Sequence, residues 1–262
     1  MCIVLFALNA HPDHPLVMAA NRDEFLDRPT EQAGPWPGAP DVIAGRDKKD
    51  NGTWMGVTKT GRVAVLTNFR DPASVRRDAP SRGALARDYL LGDDPPRAYL
   101  ERLAARAGDY NSFNLLVGGP SGLFWFSDRG PGIVEVPPGV HGLSNALLDT
   151  PWPKVVRGKA ALSRLLADGK PVQEQDLFRI LSDPREAPDH ELPSTGVPLL
   201  FERALSAVLV TCPGYATRSS TILLAGPDNR LVYEEHVRHP LTPGQPLPKS
   251  PALFTFTVKP GP

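Results

Sequence analysis

Cysteine is scarce in this chain: Cys2 and Cys212 are the only two among 262 residues. No disulfide framework can be built from them, and free thiols suit a reducing compartment. Charge of one sign is missing as well. Lysine plus arginine number 29 and aspartate plus glutamate 29, for a net charge of zero, which excludes the basic footprint of a nucleic-acid binder. No apolar stretch approaches the roughly 18 residues of a membrane span. The opening run Cys2–Leu8 is shorter than a secretory signal core and has no basic residues before it. There is no phosphate-cradling glycine loop with Lys-Ser/Thr, no Gly-x-Ser-x-Gly elbow, no dinucleotide fingerprint and no His-Glu-x-x-His. The expectation is a cytoplasmic chain with no nucleic-acid partner, no transmembrane segment and no metal site.

Proline, by contrast, is abundant at 30 residues. Most prolines sit in connections such as Gly34–Gly38 and Leu241–Pro251, where a fixed φ lowers the entropy of the unfolded chain. Between the connections, strand patterns come in blocks and helix patterns come in blocks. Cys2–Leu8 and Leu16–Asn21 are apolar on both faces, as strands covered on both sides are. Arg28–Asp50 reads as a long Pro/Gly loop, and residues 53–58 and 62–67 as a hairpin. Two helices are predicted over 82–91, capped by Ser81, and from Pro95-Pro96 to about 107. Short strands follow at 113–117, 123–127, 133–136 and 140–144. Helical spacing returns over 152–167, 173–181 and within 199–207. The chain closes on strands at 217–225, 231–236 and 253–258, the first two joined by a hairpin turn at Gly226-Pro227-Asp228-Asn229. Blocks of this kind argue against alternating βαβ winding and for antiparallel sheets with helices on their outer faces, an α+β chain. No boundary divides it, so residues 1–262 form one domain.

Two features carry chemistry. Cys2 follows the initiator methionine, and a small second residue is what methionine removal requires. Once freed, position 2 presents a thiol and an α-amine on one carbon, with reference pKa values of about 8.5 and 7.7–8.0. An amine serving as base for its own residue's nucleophile needs no separate histidine. The alternative is a small hydrophobe opening a buried strand. The second feature is Asn21-Arg22-Asp23-Glu24, four polar residues ending an otherwise buried strand. Strand alternation places Asn21 and Asp23 on one face and Arg22 and Glu24 on the other. Such a cluster is either a self-neutralising scaffold or a ligand site. His236 and His239 lack the partners of a metal site, and Cys212-Pro213 reads as a buried cysteine beside a turn.

Met1-Cys2-Ile3, the Asn21–Glu24 quartet and residues 215–221 (Tyr-Ala-Thr-Arg-Ser-Ser-Thr) resemble the NRDE-motif family, that of transport and Golgi organisation protein 2. Gly52–Val57, Thr67–Arg70, Ser81-Arg82-Gly83, Asn114–Val117 and Gly142–Ala146 extend the likeness over essentially the whole chain. The resemblance implies the fold of N-terminal nucleophile hydrolases, a four-layer αββα sandwich of two antiparallel sheets. Its functional relatives there are cysteine acylases of penicillin V and bile salts. By that likeness Cys2 matches the nucleophile, Asn145 the oxyanion asparagine and Arg218 a late arginine lining the site. Aligned on the flanks Ala20 and Phe25, the acylases' second-strand arginine and aspartate fall on Asn21 and Glu24.

Two functions follow as expectations. The first is a ligand-handling protein whose cleft takes an amphiphilic anion, haem or an acyl-CoA or other lipid, in trafficking or homeostasis. Asn21, Arg22, Asp23, Glu24 and Asn68 would bind that ligand, with no cofactor required. The second is a hydrolase of amides or thioesters using Cys2, its α-amine as base, Asn145 as oxyanion donor and Arg218 as substrate anchor.

Overall fold

The computed structural model describes residues 2–226 and 228–258. In chain order its elements are β1 (Cys2–Leu8), β2 (Leu16–Phe25), β3 (Thr30–Trp36), β4 (Ala39–Asp47), β5 (Met55–Thr58), β6 (Val63–Asn68), α1 (Gly83–Leu91) and α2 (Pro96–Ala104). Next come β7 (Phe113–Gly119), β8 (Gly122–Ser127), β9 (Val134–Glu135), β10 (Gly139–Leu143), α3 (Pro153–Leu166), α4 (Glu174–Leu181) and α5 (Leu199–Leu205). Four strands close the chain: β11 (Thr211–Cys212), β12 (Tyr215–Ala225), β13 (Arg230–Val237) and β14 (Ala252–Thr257).

The strands form two antiparallel sheets. One runs β10-β1-β2-β12-β13-β14 with β11 added against β12; the other runs β3 to β9 in sequence order. Period-two alternation then assigns each side chain a layer. Along β1, Ile3, Leu5 and Ala7 pack with Val155, Leu162, Leu177 and Leu181 of α3 and α4. Val4, Phe6 and Leu8 point the other way and meet Ile43, Met55, Val57 and Leu116 of the second sheet. The far face of that sheet packs Ala64, Leu115 and Val117 on Leu85, Leu90 and Leu100 of α1 and α2. The result is an α+β sandwich of four layers, helix–sheet–sheet–helix. Strands buried on both faces need apolar residues at every position, which is why β1 lacks alternation in its sequence.

Three details differ from expectation. The predicted loop 28–50 is mostly a hairpin of β3 and β4, turned through Pro37-Gly38 with Gly38 at φ +77°. Pro35 is tolerated because β3 lies at the sheet edge, where a missing N–H costs no ladder bond. β2 runs on to Phe25, since Asn21–Glu24 stay paired with β12 instead of leaving the sheet. α1 starts without a side-chain cap from Ser81. The predicted turn 226–229 includes Pro227, outside the described residues, as is Met1. Among the described residues no helix is long and apolar enough to cross a membrane.

Candidate functional site

The inter-sheet stripe Val4, Phe6, Leu8 ends at Cys2, and there the space between the sheets turns polar. Cys2 pairs with Arg22 across β1 and β2, so both side chains face the same way. Ser144 donates its hydroxyl to the Cys2 carbonyl at 2.8 Å and fixes the start of the strand. Cys2 is partly exposed and lies in a cleft of about 220 Å³. Arg22, Asp23 and Glu24 of β2 share that cleft with Trp54, Leu66, Asn68 and Asp47 of the opposite sheet. The connection into α1 supplies Arg76, Arg77, Ser81, Arg82 and Gly83 as a further wall.

Charge is segregated across this cleft. The Arg22 guanidinium lies 4.2 Å over the Trp54 ring, donates to Thr30 Oγ1 at 3.3 Å and faces Glu24 at 3.8 Å. Arg28 is held by Asp47 and Asp50. On the other wall Arg76 donates to the carbonyls of Gly108 and Tyr110, and Arg82 to that of Ser112. The ion pairs at the cleft involve Arg22 and Arg28; none of Arg76, Arg77 and Arg82 joins one among the described residues.

Burial pushes the Cys2 thiol up from its ordinary value and the Asp23 charge adds to this, while the amino-terminal charge, the Asp23 N–H and Arg22 work the other way. Asp23 is itself raised by burial against the pull of Lys154. Its Oδ1 accepts from Thr217 Oγ1 at 2.7 Å, and its carbonyl accepts from Tyr215 Oη at 2.7 Å. Among the described residues no group of three or more His, Cys, Asp or Glu could hold a metal ion.

Cys2, Arg22, Asp23, Glu24 and Asn68 are thus brought to one cleft, whereas Asn21, Asn145 and Arg218 are not among its lining residues. Asn21 lies on the helix-facing side of β2, where it donates to the carbonyls of Leu181 and Val208 and accepts from Ser220. Asn145 is fully buried; its amide donates to the Asn68 carbonyl and its own carbonyl accepts from the Arg70 N–H. Arg218 departs furthest from expectation. It is the extra residue of a β-bulge between Thr217 and Ser219, and bulges re-aim a side chain. Its guanidinium is spent on the carbonyls of Phe25, Arg28, Pro240 and Leu241, pinning two loops. Of the quartet it is Arg22 that stands opposite Cys2 in the sheet.

Arg76, Arg77 and Trp54 were not singled out from the sequence, although Trp54 and Arg82 lie in segments that carry the family likeness. The pattern of the family described as Transport and Golgi organisation 2 matches residues 1–240. The chain belongs to that family. Among its relatives, the Transport and Golgi organization protein 2 homolog of Bos taurus is 35% identical over 257 residues, covering 90% of this chain and 92% of that protein. The Homo sapiens homolog is 33% identical with the same coverage, and the Drosophila melanogaster protein 28% identical over 93% of this chain and 94% of that one. Two solved structures share the N-terminal nucleophile hydrolase fold with this family member. One is a Caenorhabditis elegans N-acylethanolamine-hydrolyzing acid amidase ortholog, with TM-score 0.53, 11% identity and 85% of this chain and 92% of that one covered. The other is the C2A mutant of conjugated bile acid hydrolase from Clostridium perfringens, with TM-score 0.52, 7% identity and 97% and 92% covered.

Proposed function

We propose that the cleft takes the anionic head group of an amphiphilic ligand, with Arg76, Arg77 and Arg82 facing the anion and the Cys2 thiol beside it. The observation that carries this reading is the wall of three arginines at a polar cleft that form no ion pair among the described residues, with Glu24 acting on Arg82 only from across the cleft. Guanidinium groups bind carboxylate and phosphate through charge-assisted bonds worth about 1.5–3 kcal/mol each. The volume limits what enters. At about 220 Å³ the cleft falls below the roughly 300–1,000 Å³ of sites that engulf a drug-sized ligand. A carboxylate, phosphate or thioester head group fits; a haem macrocycle or an acyl chain would lie along the mouth, with haem propionates or CoA phosphates directed inward. Calorimetry with an acyl-CoA and absorbance titration with haem test this on wild type and Arg82→Ala. The expected loss is about ten- to hundredfold for one charge-assisted contact, shrinking at high salt. Equal affinity in both proteins would refute the placement.

A second reading is favoured by the position of the thiol. Cys2 reaches the same cleft that would hold the head group, and removal of Met1 would leave an amine on the nucleophile's own residue. The shared fold with an amidase and a bile acid hydrolase supports amide or thioester cleavage by analogy of architecture. Incubation with acyl-amides and acyl-thioesters, followed by intact mass, should then show an acyl adduct on Cys2. Turnover persisting in Cys2→Ala would exclude it.

A further inference from the structure

Behind Cys2, on the helix side of the sheet, lies a lysine that local physics disfavours three times over. Lys154 is the second residue of α3 and is 1% exposed. A cation in a first helical turn faces the positive end of the helix dipole. A buried ammonium costs several kcal/mol unless well paired, and Lys154 Nζ has no hydrogen-bond partner among the described residues. Its nearest carboxylate, Asp23 Oδ2, stands 3.9 Å away, in range for a charge and out of range for a hydrogen bond. Residues that break local rules together, beside a nucleophile, mark functional positions.

We propose that Lys154 is a positioning residue of the Cys2 site: its buried ammonium, set against Asp23 behind the first residue of β1, is the positive charge that favours the Cys2 thiolate. This rests on the reading that the Cys2 thiol is the reactive group of the cleft. The surrounding charges are few. Asp23 from β2, Cys2 from β1, Glu202 from α5 and Arg70 beyond β6 act on Lys154. The thiol is also within electrostatic range of the α-amine, Arg22, Arg82 and Tyr215. Arginines keep their charge at any working pH, so the cations of this set that can be switched off are Lys154 and the α-amine, and Lys154→Arg removes the titration of the first while leaving the second. Burial lowers Lys154 to about 8 against the pull of Asp23. Its charge is therefore present at neutral pH and gone at pH 9.5.

The test is the rate of Cys2 alkylation by iodoacetamide as a function of pH, read by intact mass in a Cys212→Ser chain. At pH 7, Lys154→Met should react about three- to tenfold slower than the parent, the effect of a half- to one-unit rise in the thiol's pKa. Lys154→Arg should stay within about twofold of the parent at that pH. At pH 9.5 the order changes: Lys154→Arg, still charged, should outpace the parent, and Lys154→Met should match it. Packing damage alone would not produce this crossover. Three superimposed profiles would overturn the proposal. The slopes supply a second check. With Lys154 titrating beside the thiol, the parent's profile must be shallower between pH 7 and 9.5 than that of Lys154→Arg, which keeps the α-amine and a fixed charge at 154, and equal slopes overturn the proposal. The head-group reading fails separately, through ligand affinities in Arg82→Ala that alkylation does not measure.

Discussion

The Arg70–Glu202 pair offers the sharpest test of how this end of the sandwich is held. Arg70 follows β6, and its N–H donates to the Asn145 carbonyl at 2.7 Å. Its guanidinium meets Glu202 Oε2 at 2.6 Å and lies 4.6 Å over the Trp152 ring. The two side chains are 3% and 5% exposed. Glu202 also accepts the Thr195 N–H at 3.0 Å and the Thr195 hydroxyl. At this separation the gross attraction is about 6 kcal/mol for an effective dielectric of ~20, most of it offset by desolvation of two ions. Glu202→Leu removes the attraction and leaves the arginine's desolvation in place, a cost of about 3–5 kcal/mol. At ~2–4 °C per kcal/mol for a chain near this size, Tm should fall by roughly 6–20 °C. Arg70→Met combined with Glu202→Leu removes both ions and should recover most of the loss. The assay is urea unfolding of the four proteins of the cycle, with calorimetry for Tm. A Glu202→Leu penalty under about 1 kcal/mol, or strict additivity in the double variant, would refute the reasoning.

Three further outcomes are expected. A Cβ at Gly45 would stand 2.4 Å from two atoms of the Trp54 ring, so Gly45→Ala should cost about 1–3 kcal/mol in urea unfolding; Trp54→Phe in the same chain should relieve it, and a neutral Gly45→Ala would show that the ring gives way. Burial opposes the Asp149 charge, but bonds from His141, Lys159 and the Gly142 N–H outweigh it and hold the carboxyl at about 2. Because the folded value lies below the unfolded one, this stability is present above about pH 4 and lost as pH falls towards 2. Asp149→Asn should thus cost about 1–2 kcal/mol at pH 6, allowing for partial exposure, and under about 0.5 kcal/mol at pH 2; a constant difference across that range in acid unfolding would contradict the sign. Arg218→Met strands four carbonyls and should destabilise by at least about 3 kcal/mol, while ligand affinity per folded molecule stays unchanged; a selective loss of affinity would return Arg218 to the site.

The layers were legible in the sequence because burial on both faces leaves continuous apolar strands, and blocks of strands exclude parallel winding. The loop 28–50 was not, since Pro35, Pro37 and Gly38 look like loop chemistry unless the strand is known to be an edge. Lys154 left no trace in pattern either: one lysine after Trp152-Pro153 reads as a helix start, and its burial arises from how α3 lies on β1 and β10. Arg76 and Arg77 reach the cleft only through the path of the loop, which Asn111 ties back by bonds to the Arg76 N–H and carbonyl. Arg218 misled for a physical reason. Its place in a recognisable segment says nothing of a bulge, and a bulge alone decides which way a strand residue turns.

The quartet Asn21–Glu24 shows why a signature should not be read as one functional unit. In an antiparallel sheet with helices on one side and a second sheet on the other, consecutive residues serve different layers. Asn21 reaches the carbonyls of Leu181 and Val208 beneath the helices, and Asp23 answers Thr217 and Lys154 on that same side. Arg22 and Glu24 turn into the cleft, where they meet each other and Trp54. Loss of Asn21 should therefore register as instability and loss of Arg22 as altered ligand binding. Asp23 belongs to both classes, because its carboxylate faces Lys154 while its N–H faces the Cys2 thiol. It is the one residue of the four that adjoins both the helix-side cation and the nucleophile.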